Sequence, residues 1–235
     1  MKHLTFLILL FSAVLSAQDT SQFFNKADNF FQSYVENGKV KYAEIKENPK
    51  DLQELLNLAK KIRTSPEEEE IFQAFWINAY NLAVIDGIVK KYPVKSPLDI
   101  EGFFDEQPYS LGLKSVTLDE IEHELLFGNF PLEERFHFAL VCAAKSCPPL
   151  ISEAYKPETL EQQLEEQTVK VLNDPEFIRV YENKILLSEI FKWYKEDFTS
   201  AGKNLIQYIN GYRKNKISER KNTGFYEYNW ELNDW

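Results

Sequence analysis

Cys142 and Cys147 are the only two cysteines of the chain, and one of its three histidines, His137, lies just ahead of them. They share the stretch Arg135 to Leu150, where an apolar run from Phe136 to Val141 ends in a loop stopped by Pro148 and Pro149. A strand that delivers reactive groups to a Pro-stopped loop is a common way to build a site. The chemistry such groups suggest is nucleophilic, because a thiolate attacks carbonyl carbon once a neighbouring base takes its proton. Read as a strand, 135–142 sends His137, Ala139 and Val141 to one face and Phe138, Leu140 and Cys142 to the other. His137 is then a poor partner for Cys142. His123, on a separate element, is the better one. An amide from Asn78 or Asn81 would complete the set by orienting the imidazole or contributing to an oxyanion hole. The expected catalytic residues are therefore Cys142, His123, Asn78 and Asn81, in a cysteine hydrolase or acyl transferase. His137, Ser146, Cys147 and Tyr80 are the expected binding positions.

Plainer readings compete. The two cysteines are close enough in sequence to close a small disulfide loop, as exported chains often do. They also fit buried free thiols, or, with His123 and His137, a loosely spaced zinc site. Asn78 and Asn81 lie three apart on an apolar helix, where unpartnered amides are costly, so bracing of neighbouring backbone explains them somewhat better than catalysis. The alternative function is a non-catalytic extracytoplasmic binding module with a Cys142–Cys147 disulfide. Either way the expected partner is a small-molecule or peptide ligand, with no metal and no cofactor.

The elements that must position these groups follow from pattern and composition. The 235 residues are 44% hydrophobic, 14% aromatic and carry a formal net charge of −10. That composition folds, and its acidity disfavours nucleic-acid phosphates. Lys2 and His3, the apolar run Leu4 to Leu15 and small residues at 16–17 form the pattern of a secretory signal peptide, 1–17, too short for a membrane span. With no linker or repeat in view, 18–235 reads as one globular domain, periplasmic or secreted, without a transmembrane anchor.

Phe23, Phe24, Ala27, Phe30, Phe31 and Tyr34 recur at helical spacing, and Leu52, Leu55, Leu56 and Ala59 mark a second helix. Val40 to Ile45 reads as an extended piece. Ser65, Pro66 and Glu68 look like the start of a helix that stays almost continuously apolar from Ile71 to Val89. The acids Glu67 to Glu70 belong to its solvated first turn. Phe103, Phe104 and Tyr109 lie in an irregular surface loop, with a lid or rim as the alternative. Leu111 to Thr117 suggests a strand, and Thr117 with Glu120 forms a capping box for the helix bearing His123. Farther on, 157–172 reads as an amphipathic helix, 177–187 as a β-hairpin, and 189–197 and 202–212 as helices. The aromatic tail, Phe225 to Trp235, is expected to dock on the body. The fold class is α+β, a helix-rich single domain with a small, largely antiparallel sheet.

Several segments also carry a family resemblance. Phe75-Trp76-Ile77-Asn78-Ala79-Tyr80-Asn81, Ile121-Glu122-His123, His137 to Leu140 and Cys142 to Leu150 together resemble the "domain of unknown function 547" family. The similarity runs over about 67–198 and includes Phe191, Trp193, Tyr194, Asp197 and Phe198. It implies one domain of an exported bacterial type and carries no established reaction. The basic residue expected soon after the Glu-His pair is absent, and Phe127 and Gly128 stand there instead.

Overall fold

A computed structural model describes residues 2–200 and 202–235, with side chains from residue 18 onward. The expected signal peptide, 1–17, lies outside the residues whose side chains are described. The chain is helix-rich α+β. Helix α1 (Lys2–Tyr34) buries the spaced aromatics Phe23, Phe24, Phe30 and Phe31. Strands β1 (Val35–Glu36) and β2 (Lys39–Val40) then pair antiparallel across Asn37 and Gly38, both at positive φ. The expected extended piece 40–45 is corrected: past Val40 the chain turns into α2 (Tyr42–Glu47), which buries Tyr42 and Ile45. Helix α3 (Lys50–Ala59) buries Leu52, Leu55 and Ala59.

Helix α4 (Glu69–Lys91) is the axis of the fold. It is apolar on every side from Phe72 to Val89, so it is buried on every side. Each fully buried Phe or Ile there contributes roughly 1.5–3 kcal/mol relative to exposure. The Ser65 start is corrected by one turn, because Glu68 N–H is spent on Ser65 C=O at 2.9 Å and the helix begins afterwards. Gly87 is required by close packing: a Cβ there would stand 2.6 Å from Phe103 and 2.5 Å from the Tyr109 hydroxyl. Phe103 and Tyr109 are therefore buried against α4 rather than exposed, while Phe104 is half-buried.

Strands β3 (Tyr109–Leu111) and β4 (Lys114–Val116) form a two-residue hairpin through Gly112 and Leu113, both at positive φ. The expected reciprocal cap is present: Thr117 N–H donates to Glu120 Oε2 at 2.8 Å, and Glu120 N–H to Thr117 Oγ1 at 3.1 Å. It opens a π-helix, Glu120–Phe127. The expected strand at 135–142 is instead a single helical turn, α5 (Phe136–Ala139), with Leu140 N–H bonded back to Phe136 C=O. No neighbouring strand offers that run a ladder among the described residues.

Helix α6 (Leu160–Asn173) leads to the antiparallel hairpin of β5 (Ile178–Val180) and β6 (Lys184–Leu187). Short helices α7 (Ile190–Trp193) and α8 (Lys195–Thr199) and helix α9 (Leu205–Tyr212) follow. Strand β7 (Asn222–Phe225) joins β6 in parallel. The sheet content is thus three small sheets, antiparallel except at β7. Among the described residues no helix is long and apolar enough to cross a membrane.

The buried side chains form two clusters. One surrounds α4, with α1–α3 and the π-helix; the other gathers α6–α9 and the β5–β6 hairpin. The segment after Arg135 stitches them together: Phe136 and Ala139 belong to the first, Phe138 and Ala144 to the second. Cys147 packs against both.

Candidate functional site

At that seam lies a cavity of about 180 Å³. His123, His137, Cys142, Cys147 and Tyr80 all line it. Five of the eight residues expected from the sequence are thus brought to one recess (Cys142, Cys147, His123, His137 and Tyr80), whereas Asn78, Asn81 and Ser146 are not among its lining. The volume falls below the roughly 300–1,000 Å³ usual for cofactor-sized sites, so it suits one ring or one side chain.

The two sulfurs are joined as a disulfide, 2.12 Å apart. Sγ of Cys142 is therefore not a free thiol. Ala143, at φ 63, supplies the left-handed turn between the two cysteines, which costs a non-glycine residue roughly 1–2 kcal/mol. Cys142 N–H donates to Cys147 Sγ at 3.0 Å. The Tyr228 hydroxyl stands 3.2 Å from each sulfur, and against a disulfide it can only donate.

Asn78 and Asn81 are spent on backbone. Asn78 Nδ2 donates to Ala74 C=O and Tyr155 C=O, both at 2.7 Å, and Oδ1 accepts from Tyr155 N–H at 3.1 Å. Asn81 Nδ2 donates to Ala139 C=O and Oδ1 accepts from Val141 N–H, each at 2.9 Å. Their place in the expected catalytic set is corrected accordingly: Asn81 holds the site segment from beneath and Asn78 holds Tyr155, where an unpaired peptide group is expensive. From the other side Gln167 Nε2 donates to Phe138 C=O and Pro149 C=O. Ser146 Oγ accepts from Asn229 N–H at 2.8 Å, which fixes the tail rather than the recess.

His137 is the better-positioned imidazole. Because 136–139 is helical, the alternation that sent it away from Cys142 does not apply, and both reach the cavity. Its Nε2–H donates to Asp197 Oδ2 at 2.7 Å, and its ring is sandwiched between Phe127 at 4.5 Å and Tyr194 at 4.0 Å. Phe127 thus stands against the imidazole where the family resemblance led one to expect a basic residue. His123 lies at the rim, its side chain 47% exposed and 3.4 Å from Asp119. Such an exposed pair contributes little.

The remaining wall is aromatic and acidic. Glu122 Oε2 accepts from the Tyr80 hydroxyl at 3.4 Å, and Asp119 is the second carboxylate. Trp193, Tyr228 and Trp230 form a ring cluster with centroids 4.7–6.0 Å apart. Burial, and then the Glu122 charge, push the Tyr80 and Tyr194 phenols above their ordinary range; burial does the same to Tyr228. All three remain O–H donors near neutral pH. Sequence reasoning assigned no role to Glu122, Tyr194, Asp197, Tyr228 or Trp230. The Phe191–Phe198 motif already held Tyr194 and Asp197, but for the tail the only signal was its density of aromatics.

No curated protein and no solved structure matches the chain. The family match ends at residue 172, short of the 67–198 span expected, so the segment with Asp197 lies beyond it. Residues 64–172, which carry α4, the His123 helix and both cysteines, match the family described as protein of unknown function, DUF547.

Proposed function

We propose that this chain is an exported binding module whose cavity takes a compact organic cation, either a small molecule or a basic side chain of a peptide. The observation that carries this reading is the lining itself: Asp119 and Glu122 with six aromatic side chains and, among the described residues, neither Lys nor Arg. Carboxylates supply the counter-charge, and aromatic faces attract a desolvated ammonium by about 0.5–2 kcal/mol each. The same lining disfavours anions. Export rests on the leader pattern at 1–17 and on the disulfide, which persists in oxidising compartments. A hydrolase or acyl transferase built on Cys142 requires its thiolate, and a sulfur bonded to Cys147 is not one.

The test uses the fluorescence of Trp193 and Trp230, titrated with tetramethylammonium, choline and arginine amide, with acetate and glucose as controls. A saturable response to the cations, weakened about ten-fold by Glu122→Gln, is the expected result. No response to any cation, or an equal response to acetate, removes the reading.

A further inference from the structure

We infer that Cys142–Cys147 is an exchange-active disulfide, so that the recess is also a thiol–disulfide oxidoreductase site for a cysteine-type dithiol. Three observations meet here. Both cysteines are half-buried and line the cavity, so an incoming thiol has access. The segment that carries them is braced without the S–S bond. Asn81 holds 139–141, Gln167 holds Pro149 C=O, and Asn233 N–H donates to Ala143 C=O at 2.9 Å. Opening the bond therefore leaves the cysteines in place.

The third observation is asymmetry. Cys147 Sγ receives the Cys142 N–H as well as a share of the Tyr228 O–H, whereas Cys142 Sγ has only the shared hydroxyl. Hydrogen bonds from N–H and O–H stabilise a thiolate more than a disulfide sulfur, and the sulfur that leaves most readily is the one whose thiolate is best stabilised. Cys147 is that leaving group, and Cys142 is the sulfur attacked.

The step balances. A thiolate of the dithiol, its proton already given to solvent, attacks Cys142 Sγ. The Cys142–Cys147 bond breaks and its electron pair stays on Cys147. The dithiol's second thiolate then attacks its own sulfur in the mixed disulfide, closing the dithiol to a disulfide and expelling Cys142, which takes a proton. Two electrons have passed from the dithiol to the protein pair. In the reverse direction Cys142 attacks a substrate disulfide and Cys147 resolves it.

The experiment takes the full chain without denaturant. It is reduced with millimolar dithiothreitol while far-ultraviolet circular dichroism is followed, then pulse-alkylated with iodoacetamide at about pH 6, well below the ordinary thiol pKa of about 8.5. Peptide-resolved mass spectrometry reads each cysteine. Both sulfurs should be released with the dichroism unchanged, and Cys147 should label about ten-fold faster than Cys142, with Tyr228→Phe, which takes a donor from both sulfurs, slowing the two alike. Release only on unfolding, or equal labelling of the two cysteines, overturns the inference. Should that variant not fold, the wild-type ratio alone decides. Cation binding is read separately, so one result can fail without the other.

Discussion

Asp197 Oδ2 lies 2.7 Å from His137 Nε2 and joins the short helix α8 to the helical turn that leads into the cysteine loop. The imidazole side chain is 2% exposed, so its N–H has no alternative partner in water. Asp197→Ala should cost about 1–3 kcal/mol, the penalty for a buried donor left unpaired. Asp197→Asn keeps an acceptor oxygen and should cost less. Urea denaturation of the two variants measures the difference. Equal stability of both with the wild type would show that the pair does not anchor the ring.

Asn81 gives a second expectation, because it ties two backbone groups of the site segment to α4. Asn81→Ala leaves Ala139 C=O and Val141 N–H buried without partners, a loss of roughly 2–4 kcal/mol. Stability and any cavity binding should fall together. In His123→Ala, at the exposed rim, stability should hold. A melting temperature for Asn81→Ala that matches the wild type would return the amide to a role in chemistry.

The contrast between these residues explains what was legible in the sequence. Helix α4 was readable because its apolar run leaves no exposed face, and α1 because its aromatics recur at one spacing. The capping box at Thr117 and Glu120 was readable because both partners are local. The 135–142 segment was misread because an apolar run of that length looks alike as strand or helix, and what decides is whether a neighbouring strand exists. Among the described residues none does, and one buried cluster takes Phe136 and Ala139 of that helical turn while the other takes Phe138. Tyr228 and Asp197 reach Cys142 and His137 from far along the chain, and no local pattern carries that information.

Alkaline pH should unfold the protein cooperatively. Burial raises the phenol pKa values of Tyr42, Tyr80, Tyr155 and Tyr228 above the ordinary 10.0. With the folded pKa above the unfolded one, the folded state holds more protons once pH passes about 10. The stabilisation is therefore complete below that value and is lost as pH rises through and beyond it. Tyrosinate absorbance from these residues should appear together with loss of circular dichroism. Titration of all twelve tyrosines before any unfolding would contradict their burial.

The tail makes the strongest structural prediction, because the last eight residues both wall the cavity and pin the loop beside it. Lys145 N–H and Ser146 N–H donate to Glu231 C=O and Asn229 C=O, while Leu232 N–H and Asn233 N–H donate to Lys95 C=O and Ala143 C=O. Deleting 228–235 removes these bonds, the Tyr228 hydroxyl and the Trp230 ring. It should lower stability by several kcal/mol, at roughly 0.5–1.5 kcal/mol per bond. A milder probe separates docking from cavity lining. Asn233 Oδ1 accepts from the buried Tyr42 hydroxyl at 2.8 Å, and neither residue lines the recess. Asn233→Ala should destabilise by about 1–3 kcal/mol. If the tail positions Tyr228 for the sulfurs, the same variant should also speed dithiothreitol access to the disulfide, although it alters no atom that touches it. Unchanged stability and unchanged reduction would mean that the loop holds its shape without the tail.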